Sequence, residues 1–443
     1  MLLGAISTIL SATIVNVAFP ALIAEFHVGH DELQWIAAGY LAAMTATMLA
    51  TAWLVRALGE RAVFVGMLAL FLGASLGAAA SFSTDVLIVA RVIQGAAAGV
   101  LQPLAMIVLF RVFPIDERGR AMALYGFGIV LAPAIGPAIG GTLLDAFGWR
   151  SIFLLTVPSS IAGILLGIRA LPGQARDRSL RFDLVGWLLL VASLITLLNV
   201  PVVGHRQGFA SPPVLALIVG SVVLAAAFVA WERRTQAPLL PIALFRHRPF
   251  AGASIVAFAY GIGLFGSTYL VPVFAQQIAH YDATDAGWLL MPPGIALAIA
   301  IAVGGRMSDR MHPAPVIIAG LALFALSSLL LAFSGAATGF ALLALWLVIG
   351  RIGLGMLIPA LNVAAVQSLA GTELAYASAA VNFVRQLGGA IGVNLLAVVL
   401  EWRLGATAAD PARAFHECFA IVTLAFALAI IPAWFIRTRA DKT

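Results

Sequence analysis

The chain has 443 residues, 62% of them hydrophobic and only 10% charged, and its mean hydropathy is +1.06. That composition excludes a soluble domain, a disordered chain and a fibre, and it assigns the protein to a bilayer. The single cysteine, Cys418, rules out an intrachain disulfide or a cysteine-rich metal site. The net charge of +6 comes from arginines in short loops, a pattern that orients membrane proteins and argues against nucleic-acid binding.

Apolar stretches of roughly 20 residues, each long enough to cross a hydrocarbon core of about 30 Å, are predicted at 2–24, 32–55, 62–82, 86–110, 119–144, 150–171, 184–203, 211–231, 250–277, 286–304, 314–334, 338–360, 375–400 and 414–436. The longest connectors, near 172–183 and 232–249, hold no hydrophobic core, so no enzyme is expected. Of the 25 basic residues, eighteen fall in one set of alternate loops and the tail, only four (Arg150, Arg206, Arg403 and Arg413) in the other set, and three inside spans. That asymmetry predicts an all-α integral membrane protein of fourteen transmembrane helices with both termini in the cytoplasm. Met1 leads directly into the first span without a basic stretch, so no cleaved signal peptide is expected. The seven histidines are scattered without ligand spacing, and no metal site is expected.

An internal repeat organises the spans. Arg91-Val-Ile-Gln-Gly95 recurs loosely as Arg351-Ile-Gly-Leu-Gly355, and Gly136-Pro-Ala-Ile-Gly140 recurs as Gly388-Gly-Ala-Ile-Gly392, at offsets of 260 and 252. Both offsets equal eight spans, which predicts two parallel six-helix bundles with two extra helices between them. The expected division is 1–171 for the first bundle, 172–249 for the region with the extra helices and 250–443 for the second bundle.

An arginine inside a span costs roughly 2.5–3.5 kcal/mol on insertion scales and needs a partner or an aqueous cavity. Arg91 and Gln94 lie one helical turn apart on one face, and Asn382, Arg385 and Gln386 make a similar group. Each group reads either as a strut between helices or as part of a polar pathway. In the fifth span Gly128, Ala132, Gly136 and Gly140 form a ridge of small residues with Pro133 and Pro137 between them, suited to close helix packing. All 19 acidic residues lie in loops or near span ends, and none is expected to be buried. Asp31 reads as a helix cap; Glu32, followed by Gln34, Trp35 and Tyr40, is the candidate for a cavity mouth.

Taken in order, these segments resemble the fourteen-span drug:proton antiporter family of the major facilitator superfamily, which includes the multidrug-resistance B-type exporters. The resemblance covers essentially the whole chain. Leu10 to Pro20, with Ser11 and Asn16, is similar to the family's first-span motif, Arg91 to Gly99 to its fourth-span motif, and Ala132 to Gly141 to its antiporter signature, continuing to Arg150. Gly305-Arg-Met-Ser-Asp309-Arg310 resembles the gating motif and Asn382 to Gly392 the thirteenth-span motif. The resemblance implies the major facilitator fold, alternating access, and a small amphipathic substrate leaving a bacterial inner membrane. It implies a proton or substrate gradient in place of a cofactor and, if the host has two membranes, a periplasmic adaptor with an outer-membrane channel as partners. Arg91 would then support coupling or binding, and Asp309 with its flanking arginines would latch a closed state.

Two departures stand out. Ser11 occupies a position where the family commonly has an acidic residue, and Arg56 stands where many members carry aspartate, leaving Glu60, beside Arg61, to supply the negative charge. Embedded arginines without embedded carboxylates predict a positive cavity that favours neutral or anionic amphiphiles. Two alternatives stay open: a conventional proton-coupled exporter of lipophilic cations acting through Glu32 or another carboxylate at a span end, and a non-transporting sensor or scaffold.

Overall fold

The computed structural model describes residues 1–27, 30–114, 117, 139–140, 142–144, 146–173, 181–281, 283–366, 373–406 and 410–436. Regular structure among them is helical throughout, as a bilayer requires of a chain that must satisfy its own backbone groups. In chain order the helices are α1 (Leu2–Ile14), α2 (Phe19–Phe26), α3 (His30–Met48), α4 (Ala50–Leu58), α5 (Glu60–Ala79), α6 (Thr84–Val112), α7 (Arg150–Leu154) and α8 (Val157–Ala170). They continue as α9 (Leu184–Gln207), α10 (Pro212–Glu232), α11 (Arg248–Gln277), α12 (Ala283–Arg310), α13 (Pro313–Leu331), α14 (Phe340–Val366), α15 (Glu373–Ala406) and α16 (Pro411–Phe435). Ten helical stretches among the described residues are long and apolar enough to cross a membrane, and the bent α3–α4 pair makes an eleventh. The expected fifth span, 119–144, lies mostly outside the described residues.

Two expected spans are broken, each for a chemical reason. A 3₁₀ turn, Val15–Ala18, separates α1 from α2; Pro20 has no N–H to give to the carbonyl four residues earlier. The 58° bend between α3 and α4 falls one turn beyond Ala46, whose carbonyl accepts Trp187 Nε1 of α9 at 3.2 Å. A side-chain donor that takes a helix carbonyl weakens the backbone ladder at that point. Between α4 and α5 stands only Gly59, at φ +83°, a left-handed conformation that glycine adopts without a Cβ clash.

The helices form two compact units. The first takes in Met1–Val112 and the described residues from Ile139 to Ile242; the second takes in Phe113, Pro114 and Glu117 and the described residues from Ala243 onward. In the first, α6 packs on α1, α3 and α5, α5 packs on α7 and α8, and the α9–α10 hairpin is joined to α3 through α9. In the second, α14 packs on α11, α12 and α13, while α11 packs on α15 and α16.

The repeat is visible in these contacts. A Cβ on Gly95 would lie 2.1 Å from the Tyr40 carbonyl oxygen, and one on Gly355 would lie 2.5 Å from the Ala300 Cβ. Both members of the second pair are displaced by 260 residues from the first. A Cβ on Gly140 would likewise lie 2.5 Å from the Ile14 Cγ1 of α1, and one on Gly392 2.8 Å from the Ile262 Cα of α11. Away from these seams the surface is apolar: Leu215, Ile218, Val219, Val222 and Val223 make an exposed stripe along α10, the face a helix turns to lipid.

Candidate functional site

Arg91 sits in the middle of α6 and is fully buried. Its Nε donates to the Ile36 carbonyl at 3.1 Å, and its Nη1 donates to Ser11 Oγ at 2.8 Å and to Gln94 Oε1 at 2.9 Å. Its Nη2 has no acceptor among the described residues. The guanidinium lies 4.2 Å from the centre of the Tyr40 ring, a favourable cation–π distance. Gly95 and Gly99 make this possible. Their missing side chains let α3 approach α6 closely enough to lay Tyr40 on Arg91.

The network extends further. Gln94 Nε2 donates to Ser75 Oγ at 2.6 Å, and Ser75 Oγ stands 3.3 Å from Thr156 Oγ1 beside α8. Tyr40 Oη donates to the Thr8 carbonyl at 2.6 Å. Four helices, α1, α3, α5 and α6, therefore meet around one buried cation held by neutral acceptors. The predicted Arg91, Gln94, Ser11 and Tyr40 come together here, but Tyr40 is wholly buried and does not line a cavity mouth: the close α3–α6 seam turns it inward. The side chains of Asn16, Glu32 and Gln34 lie outside the described ones. Ser75 and Thr156 were not singled out in the sequence, where lone hydroxyls in apolar spans carry no pattern.

In the second unit Arg385 Nη2 donates to Asn382 Oδ1 at 2.8 Å, and Asn382 Nδ2 donates to the Ser378 carbonyl at 2.9 Å. Asn382 and Gln386 are buried and Arg385 is half-buried. Arg351 Nη2 donates to Thr268 Oγ1 at 3.3 Å.

The expectation that no carboxylate is buried fails at three positions: Glu60, Asp183 and Glu232 are 2%, 7% and 3% exposed. All three stand at span ends, and neighbouring segments fold over them. Glu60 opens α5 and pairs with Arg111, on the last turn of α6, at 2.7 Å. Each charge thus sits at the helix end whose dipole favours it. Arg111 is the partner the sequence did not reveal; Arg56 is exposed and Arg61 half-buried. Glu60→Gln is expected to lower stability by about 1 kcal/mol, because Arg111 stays hydrated, and the loss should shrink in high salt; detergent melting curves at two salt concentrations check it.

Gly305, Asp309 and Arg310 occupy the last two turns of α12, with Gly305 buried, Asp309 half-buried and Arg310 exposed. Of the span-five ridge, Gly128, Ala132, Pro133, Gly136, Pro137 and Gly141 lie outside the described residues, and Gly140 is buried against Ile14. At the end of that motif Gly148 turns the chain at φ +75°, and Arg150 pairs with Glu25 at 3.3 Å.

Apolar helices of membrane length around a buried, hydrogen-bonded arginine define a polytopic membrane protein. Residues 1–393 match the Major Facilitator Superfamily, and the chain belongs to that superfamily. It is 33% identical over 406 residues to the multidrug resistance protein B homolog of Mycobacterium tuberculosis, covering 90% of this chain and 75% of that protein. It is 29% identical to the methylenomycin A resistance protein of Streptomyces coelicolor, covering 99% and 91%. Among solved structures, the human organic anion transporter MFSD10 superposes with a TM-score of 0.72 at 18% identity, covering 98% of this chain and 97% of that one. The proton:xylose symporter XylE gives 0.70 at 14% identity, covering 98% and 93%. The two superpositions establish the all-helical major facilitator fold.

Proposed function

We propose that the protein exports small amphipathic compounds by alternating access and favours neutral or anionic ones. Export is supported by its relatives, named as resistance proteins in Mycobacterium tuberculosis and Streptomyces coelicolor. The charge preference rests on one observation: Arg91 is fully buried, its Nη2 lacks an acceptor among the described residues, and its first-span partner is the neutral Ser11. In a low-dielectric interior an uncompensated cation attracts anions strongly.

The proposal includes fourteen spans with both termini cytoplasmic, and two six-helix bundles at 1–171 and 250–443. The region between them, 172–249, adds two helices. Arg91, Gln94, Ser11, Asn382, Arg385 and Gln386 would contact substrate or the coupling ion, with Glu32, Gln34 and Asn16 nearby. Arg56, Glu60, Arg61, Gly305, Asp309 and Arg310 would gate. A proton gradient or the substrate's own gradient would drive transport, and a periplasmic adaptor with an outer-membrane channel would complete the export path.

Thermal stabilisation of the purified protein by matched anionic, neutral and cationic amphiphiles tests the charge preference, because a ligand that binds only the folded state raises its melting temperature. The anionic member is expected to stabilise most, and Arg91→Ala to remove that advantage. Stabilisation led by the cationic member in both proteins would refute the proposed preference.

A further inference from the structure

Two of the buried carboxylates face each other at the open end of the α9–α10 hairpin. Asp183 caps the N-terminus of α9 and Glu232 closes α10, and the two are 7% and 3% exposed. Gly186 marks how near they are: a Cβ there would lie 2.5 Å from Asp183 Oδ2 and 2.7 Å from Glu232 Oε1. One oxygen of each side chain therefore borders the same small gap.

Two ionised carboxylates cannot share such a site, since like charges in a poorly hydrated interior repel strongly and a carboxylate has no proton to donate. The surrounding donors decide which one is charged. Asp183 accepts from Gly186 N at 2.9 Å and from Trp231 Nε1 at 2.8 and 3.0 Å to its two oxygens. Glu232 Oε2 accepts from Leu240 N at 3.0 Å, but Oε1, which borders the Gly186 gap together with Asp183 Oδ2, has no donor partner among the described residues. Three of the four donor contacts thus go to Asp183, and the buried oxygen left without a donor belongs to Glu232. The basic residues close by in the chain, Arg181, Arg233 and Arg234, are exposed, and none of the three forms an ion pair with either carboxylate among the described residues.

We infer that Asp183 and Glu232 form a buried proton-binding site, in which Glu232 carries one proton on Oε1 and donates it to an ionised Asp183 at neutral pH. Release of the proton to water breaks that hydrogen bond and leaves two negative charges in one small space. The site ties three segments together: the first turn of α9, the last turn of α10 and the connector at Leu239 and Leu240. One turn into α9 from Asp183, Trp187 holds the carbonyl of Ala46 at the bend of α3. The proton therefore holds closed the end of the hairpin that grips α3, the helix that also supplies Ile36 and Tyr40 to Arg91.

The test uses the full-length purified protein in nanodiscs without substrate, so its outcome is separate from the question of what is exported. Infrared difference spectra are recorded while the pH is raised from mildly acid to mildly alkaline. Wild type is expected to show a protonated-carboxyl C=O band at neutral pH that disappears in alkali. The band should be absent in Glu232→Gln, whose amide reproduces the protonated acid, and in Asp183→Asn it should vanish at lower pH, because the neighbouring anion that holds the proton is gone. Melting temperature gives a second reading. Wild type should lose at least about 2 °C as the pair ionises, since its stability is greatest while the proton is bound, and Glu232→Gln should keep a flat profile over the same range. A neutral-pH spectrum without that band, a band that survives Glu232→Gln, or an equal alkaline loss of stability in both proteins would overturn the inference.

Discussion

Ser11→Asp is expected to reverse the charge preference of the protein. Ser11 Oγ already accepts from Arg91 Nη1 at 2.8 Å, so a carboxylate at this position would meet the guanidinium directly. At about 4 Å and an effective dielectric near 20, such a pair interacts by about 4 kcal/mol, more than enough to cancel the attraction Arg91 exerts on an anionic ligand. The relative affinity for anionic over cationic amphiphiles should fall by at least about tenfold, or ~1.4 kcal/mol, as measured by ligand titration of the two purified proteins. The substituted protein should also remain folded, because the new charge arrives already paired. An unchanged preference would mean that Arg91 is a structural strut, and that the selectivity resides elsewhere.

Gly95→Ala should give a large loss of stability, as should Gly99→Ala on the same helix, whose added Cβ would fall 2.1 Å from the Met44 carbonyl oxygen. At Gly95 the added Cβ would fall 2.1 Å from the Tyr40 carbonyl oxygen, and a backbone atom on a packed helix cannot swing aside as a flexible side chain does. Separating α3 from α6 would also lift Tyr40 from Arg91 and stretch the bond to the Ile36 carbonyl. A loss of about 3 kcal/mol or more is expected, at the upper end for an overpacked core. Gly73→Ala on α5 provides the contrast. Nothing lies within 4 Å of its added methyl, and the better helix former should leave stability unchanged or raise it by up to about 1 kcal/mol. Melting temperatures of Gly95→Ala and Gly73→Ala in the same detergent decide the matter, and equal shifts would show that the α3–α6 seam is looser than its geometry.

Much of the architecture is legible in the amino-acid order because it depends on local periods and composition. Apolar stretches of membrane length, the arginine asymmetry of alternate loops and the repeated motifs are all read from short-range pattern, and the packing pairs Gly95 with Tyr40 and Gly355 with Ala300 share the 260-residue offset of the first motif pair. The pairing of Arg91 with Gln94 was likewise local, since residues three apart share a helix face. The chemistry around Arg91 was not local. Ser11 lies 80 residues away in the chain, and whether a neutral hydroxyl compensates a buried cation depends on how α1 is laid against α6. The bend of α3 could not be read from its own residues, because the donor that takes the Ala46 carbonyl is Trp187, 141 residues on. The same holds for burial at span ends. Glu60, Asp183 and Glu232 look solvated in a linear reading, and only the segments folded across them, Arg111 and the Leu239–Leu240 connector among them, remove them from water. Sequence by itself determined that this is a helical, arginine-oriented membrane protein built from repeats, because hydrophobic transfer acts residue by residue. Tertiary structure alone decided which charges are paired, which are buried and which are left open, because electrostatic energy in a low dielectric depends on neighbours that the chain brings together from far apart.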